Sequence, residues 1–174
     1  DTFRAFHPLM TLLEPELTGN WITGLLQMYK EGGWMPMWPN PSYTNIMIGT
    51  HADALIADAY MKGIRNYDTD LAYEAMRKNA MVPPDCDTQR RYGDRDRWTS
   101  FEARAGASFY HTIGYVPDDK TAESVSRTLE YAYDDWCIAQ VAKEMGKMDD
   151  YKSLMQWSQN YKNIYNTEKG FMLP

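Results

Sequence analysis

Cysteine is scarce in this chain of 174 residues: only Cys86 and Cys137 are present. Two thiols are too few for a disulfide framework or a thiolate metal cluster, although a single bridge stays open. Basic clusters are missing too. Lys and Arg total 18 against 24 Asp and Glu, a formal net charge of −6, and the one dense basic run follows Gln89 at Arg90-Arg91. Nucleic acid requires a basic face that neutralises phosphates, so it is excluded as an expected partner. No stretch reaches the roughly 18 uninterrupted apolar residues of a membrane span. No fixed repeat recurs, which disfavours a solenoid. A nucleophile–base pair, a phosphate-binding glycine loop and zinc spacing are all lacking. The acids Asp85, Asp87, Asp94 and Asp96 do not follow the spacing of a calcium loop. The chain opens at Asp1 with no initiator Met and no signal peptide, so it is expected to be a piece cut at both ends.

What is present points to one domain with a real core. A hydrophobic share of 44% and an aromatic share of 14% argue against disorder. The stretch 124–145, SVSRTLEYAYDDWCIAQVAKEM, runs without Gly or Pro and reads as one long helix. At 3.6 residues per turn, Val125, Leu129, Ala132, Trp136 and Ala139 form an apolar stripe, and the second half is apolar nearly all round. The first half nonetheless carries Glu130, Asp134 and Asp135. A buried carboxylate costs several kcal/mol unless it is paired or hydrogen-bonded. Two roles therefore stand open: ion pairs that hold neighbouring helices in register, or a polar pocket at the N-terminal end together with Thr121, Ser124, Ser126 and Thr128.

Six further helices are expected at 5–13 (closed by Pro15), 18–30 (stopped by Gly32-Gly33), 45–62, 68–81, 100–112 and 149–165. No strand is expected, so the fold class is all-α, with successive helices pairing back to back. Residues 34–43, with three prolines and two tryptophans, form a stiff loop that either packs or walls a ligand site. Residues 82–98 form a long polar loop of acids and arginines. His51 lies beside Thr50 and Asp53 and reads as a core residue or, less commonly, as a ligand contact.

Several strings resemble glycoside hydrolase family 92: DTFRAFHPLMTLL at 1–13, GGWMPMWPNPSYTNIMIGTHADALIADAYMKGI at 32–64, GYVPDDKTAESVSRTLEYAYDDWCIAQVAK at 114–143 and SQNYKNIYNTEKGFM at 158–172. The resemblance implies a β-sandwich followed by an (α/α)6 barrel. Residues 1–174 would form roughly the first half of that barrel, truncated at both ends and lacking the sandwich. It also implies hydrolysis of α-linked mannose in glycans with inversion, at α-1,2 or a related linkage. A calcium ion would contact the sugar, its ligands outside this chain. Inversion requires an acid and a base, and the resemblance places both downstream of Pro174, so this piece alone is expected to be inactive. Carried over as substrate-binding are Asp1 and Arg4, for hydroxyls of the terminal mannose, and His51, Glu130 and Asp135, toward the barrel interior. The pattern departs from the family at Tyr43 and Leu173, where an acidic residue and an Arg are common. A secreted, periplasmic or cell-surface location is implied as well. The competing reading, from the residues alone, is a non-catalytic helical scaffold with a Trp-rich binding loop.

Overall fold

The computed structural model describes residues 2–39, 43, 46–89 and 104–174. Among them stand seven α-helices: α1 (Phe6–Leu13), α2 (Pro15–Gly32), α3 (Ala52–Met61), α4 (Thr69–Met81), α5 (Ala107–Ile113), α6 (Ser124–Glu144) and α7 (Met148–Trp157). A short antiparallel pair, β1 (Tyr165–Asn166) and β2 (Phe171–Met172), aligns Tyr165 with Met172. The strand pair stands where only a turn is expected from the sequence. The expected last helix also stops early, at Trp157, and continues as a 3-10 turn over Asn160–Ile164.

Helix boundaries follow local chemistry. Pro15, expected as a stop for the first helix, is the first residue of α2, where its missing N–H costs nothing and its φ is preset. The Asp68 side chain caps α4 by accepting from Leu71 N at 3.0 Å. Asp87 caps α5 from a distance, accepting from Gly106 N at 2.6 Å and Ser108 N at 2.7 Å. One acid of the polar loop is thereby structural, while Arg90 to Trp98 lie outside the described residues.

The expected helix 45–62 begins only at Ala52. Met47 (φ 74°) and Gly49 (φ 87°) sit in the left-handed region, which breaks the helix and turns a corner at Thr50-His51. The structure buries Ala132 and Ala139 of the expected α6 stripe and corrects it at Trp136. Trp136 is 48% exposed, and the buried face instead includes Ser124, Arg127, Tyr131, Asp134, Asp135 and Ile138. The reason lies in its neighbours: α6 packs chiefly on α7, then on α3 and α4, and these cover a side offset from the stripe. Trp136 lines a hollow of about 590 Å³ with Phe3, Arg4, Ala54 and Tyr133.

Ile22, Ile56, Met76, Ile138 and Leu154 form the centre of the core. Each such side chain contributes about 1.5–3 kcal/mol on burial. The Trp-rich loop is partly folded in. Met35 and Pro36 are buried, Lys78 Nζ sits 4.5 Å from the Trp34 ring centroid, and the Tyr43 hydroxyl lies 2.6 Å from the carbonyl oxygens of both Met28 and Trp34. Cys86 is exposed and Cys137 buried, and both are free thiols, so no bridge joins them.

Candidate functional site

Two helix N-termini and the first half of α6 converge on one mouth. Arg4 arrives on a 3-10 turn (Thr2–Arg4) just before α1, His51 precedes α3, and Glu130 and Asp134 project from early turns of α6. Arg4 Nη2 donates to Glu130 Oε1 at 2.7 Å. His51 Nε2 lies 3.7 Å from Glu130 Oε2, and its Nδ1 lies 3.2 Å from Asp134 Oδ1. The Phe3 ring stacks on the imidazole with centroids 3.7 Å apart. Side-chain exposure falls steadily inward, from 59% at Arg4 through 23% at Glu130 and 18% at His51 to 0% at Asp134. The mouth is therefore open at the arginine and sealed at the aspartate.

Glycine at 49 allows this approach. A Cβ there would lie 2.4 Å from His51 Cε1 and 3.1 Å from the Glu130 Cβ, besides being strained at positive φ.

Beneath the mouth lies a buried polar network. Thr50 N donates to Asp134 Oδ2 at 2.7 Å. The Thr50 hydroxyl is 2.7 Å from Asp53 Oδ2 and 3.1 Å from Asp134 Oδ2, and it accepts from Arg104 Nε at 3.1 Å. The Arg104 guanidinium grips Asp135 Oδ1 and lies 3.5 Å from Asp53 Oδ2. Asn79 Nδ2 donates to Asp53 Oδ1 at 3.1 Å, and the Tyr110 hydroxyl reaches Asp135 Oδ2 at 3.0 Å. Burial raises the Asp135 carboxyl even though Arg104 opposes the rise. Burial also raises Asp53, to about 7, with Asp134 adding and Arg104 opposing. Burial alone would lower the arginine, yet Asp135, Asp53 and Asp134 hold it above its ordinary range.

The expected site residues divide. Arg4, His51 and Glu130 come together. Asp135 sits in the supporting layer, 0% exposed with both oxygens engaged, so it has no surface to offer a sugar. Asp1 lies outside the described residues. Of the hydroxyls expected to face a polar pocket, Thr121, Ser124 and Thr128 are buried instead. Thr128 accepts from Val116 N at 3.0 Å and donates to Ser124 O at 2.9 Å, so it packs on the preceding loop. Arg104, Asp53 and Asn79 were not anticipated as members of the site. The pairing of Asp53 with His51 in THAD was the one signal that could have raised it.

Chemically, the mouth offers a guanidinium fork, a carboxylate acceptor and an imidazole, a set suited to adjacent hydroxyls. It does not suit calcium, which takes six to eight oxygens. Both Glu130 oxygens already face cations or His51, and both Asp134 oxygens are engaged. Among the described residues no group of three or more His, Cys, Asp or Glu gathers to hold a metal.

The model of the glycosyl hydrolase family 92 catalytic domain matches residues 1–174. An inverting mannosidase of that family from Bacteroides thetaiotaomicron VPI-5482 superposes with a TM-score of 0.85 at 40% identity, over 99% of this chain and 22% of the other. A second family GH92 α-mannosidase from Bacteroides thetaiotaomicron gives 0.79 at 36%, over 99% and 21%, and it has also been solved with mannoimidazole. A protein described as an uncharacterized secreted glycosidase, from Arthroderma benhamiae, is 37% identical over 158 residues, 83% of this chain and 18% of its own. The chain belongs to glycoside hydrolase family 92. Its all-α architecture matches the helical region of those mannosidases, and it spans about a fifth of the length of these relatives.

Proposed function

We propose that this chain is the sugar-reading part of an exo-acting α-mannosidase that removes terminal α-linked mannose from glycans with inversion, at an α-1,2 or related linkage. The observation that carries this reading is the meeting of Arg4, His51 and Glu130 at one half-open mouth in a chain of this family. In it, Arg4 and Glu130 hold neighbouring hydroxyls of the terminal mannose. His51 sets their angle, backed by Phe3 and Asp134, and Asp1 joins them from the start of the same DTFR segment. Asp135 contributes from below, by anchoring Arg104.

Inversion needs a carboxylic acid at the leaving oxygen and a carboxylate that activates water. Glu130 is not assigned either task, because its two oxygens already face Arg4 and His51. We assign the acid and the base to polypeptide beyond Pro174, together with the calcium site, so the 174 residues alone bind without turnover. When bound, calcium would polarise sugar hydroxyls. The enzyme would act outside the cytoplasm, in secreted, periplasmic or surface-attached form, in keeping with the description of its Arthroderma benhamiae relative.

The test uses the complete polypeptide with α-linked mannobiosides. Early NMR spectra should show β-mannose as the first product, and chelation by EDTA should stop its release. Glu130→Gln should raise KM on the order of 10-fold or more, the cost of a charged hydrogen-bond partner. First release of α-mannose, or full activity of Glu130→Gln at low substrate, would refute the reading.

A further inference from the structure

We propose that Asp53 and Asp134 hold one proton between them through the Thr50 hydroxyl, and that this proton fixes the corner from which His51 faces the substrate. The functional half of this inference rests on the reading of His51 as a sugar contact.

The count of hydrogens at Thr50 carries the argument. Its hydroxyl oxygen has one hydrogen and two lone pairs, yet three groups crowd it: Arg104 Nε at 3.1 Å, Asp53 Oδ2 at 2.7 Å and Asp134 Oδ2 at 3.1 Å. Arg104 Nε can only donate. If both carboxylates were ionised, one of them would face the hydroxyl oxygen lone pair to lone pair at a fully buried position. A second hydrogen resolves this, and the surroundings say where it sits. Asp134 already accepts the Thr50 N–H on Oδ2 at 2.7 Å, and its Oδ1 faces His51 Nδ1 at 3.2 Å. Among the described residues Asp53 Oδ2 has no such short charged donor, since Arg104 Nη2 stays 3.5 Å away while the same guanidinium closes tightly on Asp135. Asp53 Oδ2–H therefore donates to Thr50, Thr50 donates to Asp134, and Asp134 receives His51.

The charge balance agrees. Among the described residues three fully buried carboxylates, Asp53, Asp134 and Asp135, stand with one buried guanidinium, Arg104. Asp53 is faced from α6 by Asp134, from α4 by Asn79, and from the segment before α5 by Arg104, which also holds Asp135. Tyr110 lies beyond Asp135, the Cys137 thiol stands in the same field, and Glu130 and Arg4 flank His51 on the outer side. Burial first and Asp134 second move the Asp53 carboxyl to about 7. A raised carboxyl binds its proton more tightly folded than unfolded, so this contribution to stability is complete at low pH and is lost as pH rises through about 7. Above that point two charges compete for one hydroxyl hydrogen, and the Thr50-His51 corner loosens.

The experiment uses the complete polypeptide. Infrared spectra at about pH 6 should show a protonated-carboxyl stretch that fades near about pH 8 and is missing in Asp53→Asn. The melting temperature of the wild type should fall from about pH 4 to about pH 7 and level off above it, and that of Asp53→Asn should lack this fall. With an α-mannoside, wild-type KM should rise with the same midpoint as the infrared change. Thr50→Val should raise KM at every pH by up to about 100-fold, the scale of a misplaced contact, and Thr50→Ser should restore it. Should the polypeptide turn over no α-mannoside, the functional reading fails while the infrared and melting curves still decide the proton. Fully ionised carboxylates at about pH 6 overturn the inference, as does an Asp53→Asn variant that keeps the wild-type pH slope. Should that variant not fold, the wild-type infrared titration decides alone.

Discussion

Replacing Arg104 with Met is the severest single test of the layer beneath the mouth. Arg104 is 1% exposed and, among the described residues, is the only Lys or Arg buried with Asp53, Asp134 and Asp135. Methionine fills a similar volume but removes the charge and the fork that holds Asp135, Asp53 and Thr50. Breaking a buried ion pair from one side costs about 3–5 kcal/mol, because the remaining charges stay buried and uncompensated. Against a typical total stability of about 5–15 kcal/mol, that loss approaches unfolding. Arg104→Lys keeps the charge but can reach only one carboxylate, so it should lose about 1.5–3 kcal/mol, the value of one charge-assisted hydrogen bond. The assay is urea denaturation of the complete polypeptide followed by tryptophan fluorescence. Burial already raises Asp53 and Asp135 against the opposing Arg104, so without the guanidinium both bind protons more tightly when folded, and the deficit of Arg104→Met should be largest at about pH 8 and shrink toward about pH 5. A deficit below about 0.5 kcal/mol at the higher pH, the range of an ordinary surface change, would refute the view that Arg104 holds this layer together.

Gly49→Ala should disturb the site more than the fold, because its Cβ would meet His51 at 2.4 Å; KM should rise well beyond what the change in melting temperature explains. Ile138→Ala, in the fully buried centre of α6, should cost about 2–5 kcal/mol in chemical denaturation. Burial alone would raise Asp150, but hydrogen bonds from Arg77 and Tyr73 outweigh it and lower the carboxyl. Its contribution should therefore be present above about pH 4 and vanish on further acidification, and Asp150→Asn should flatten that limb of the stability curve. Burial and the nearby Asp134 push the Cys137 thiol up to about 12, whereas Cys86 is exposed. Peptide mapping after brief alkylation should find Cys86 modified and Cys137 untouched until denaturant is added.

Much of the fold could be read in the sequence because it depends on local periodicity. The 124–145 helix ends within one residue of α6, and the demand that its carboxylates find partners is met by Arg4, His51, Thr50 and Arg104. Of the two roles left open for those acids, the ion-pair role is realised by Asp135, which ties its helix to the segment before α5, while Glu130 faces the mouth apart from the hydroxyls expected beside it. What escaped the reading depends on distance. Arg104 meets an acid 31 residues away and Thr50 meets one 84 residues away, and no wheel drawn on a single helix brings such pairs together. The stripe failed at Trp136 for the same reason, since neighbours decide which face is covered. The corner at 47–51 was hidden because His51 fits a helical pattern, and only the backbone reveals that Met47 and Gly49 leave it.

The buried layer joins side chains from positions 50, 53, 79, 104, 134 and 135. Apart from the local Thr50–Asp53 link, its short links join different elements, so long loops must close before they form, and the entropy of closure is met before the electrostatics repay it. A half-assembled chain would have to desolvate several charges without their counterparts, which is strongly unfavourable. Such a layer acts as a checkpoint in folding: α3, α4 and α6 dock together or not at all, and a molecule able to grip a sugar is one that has already completed its interior.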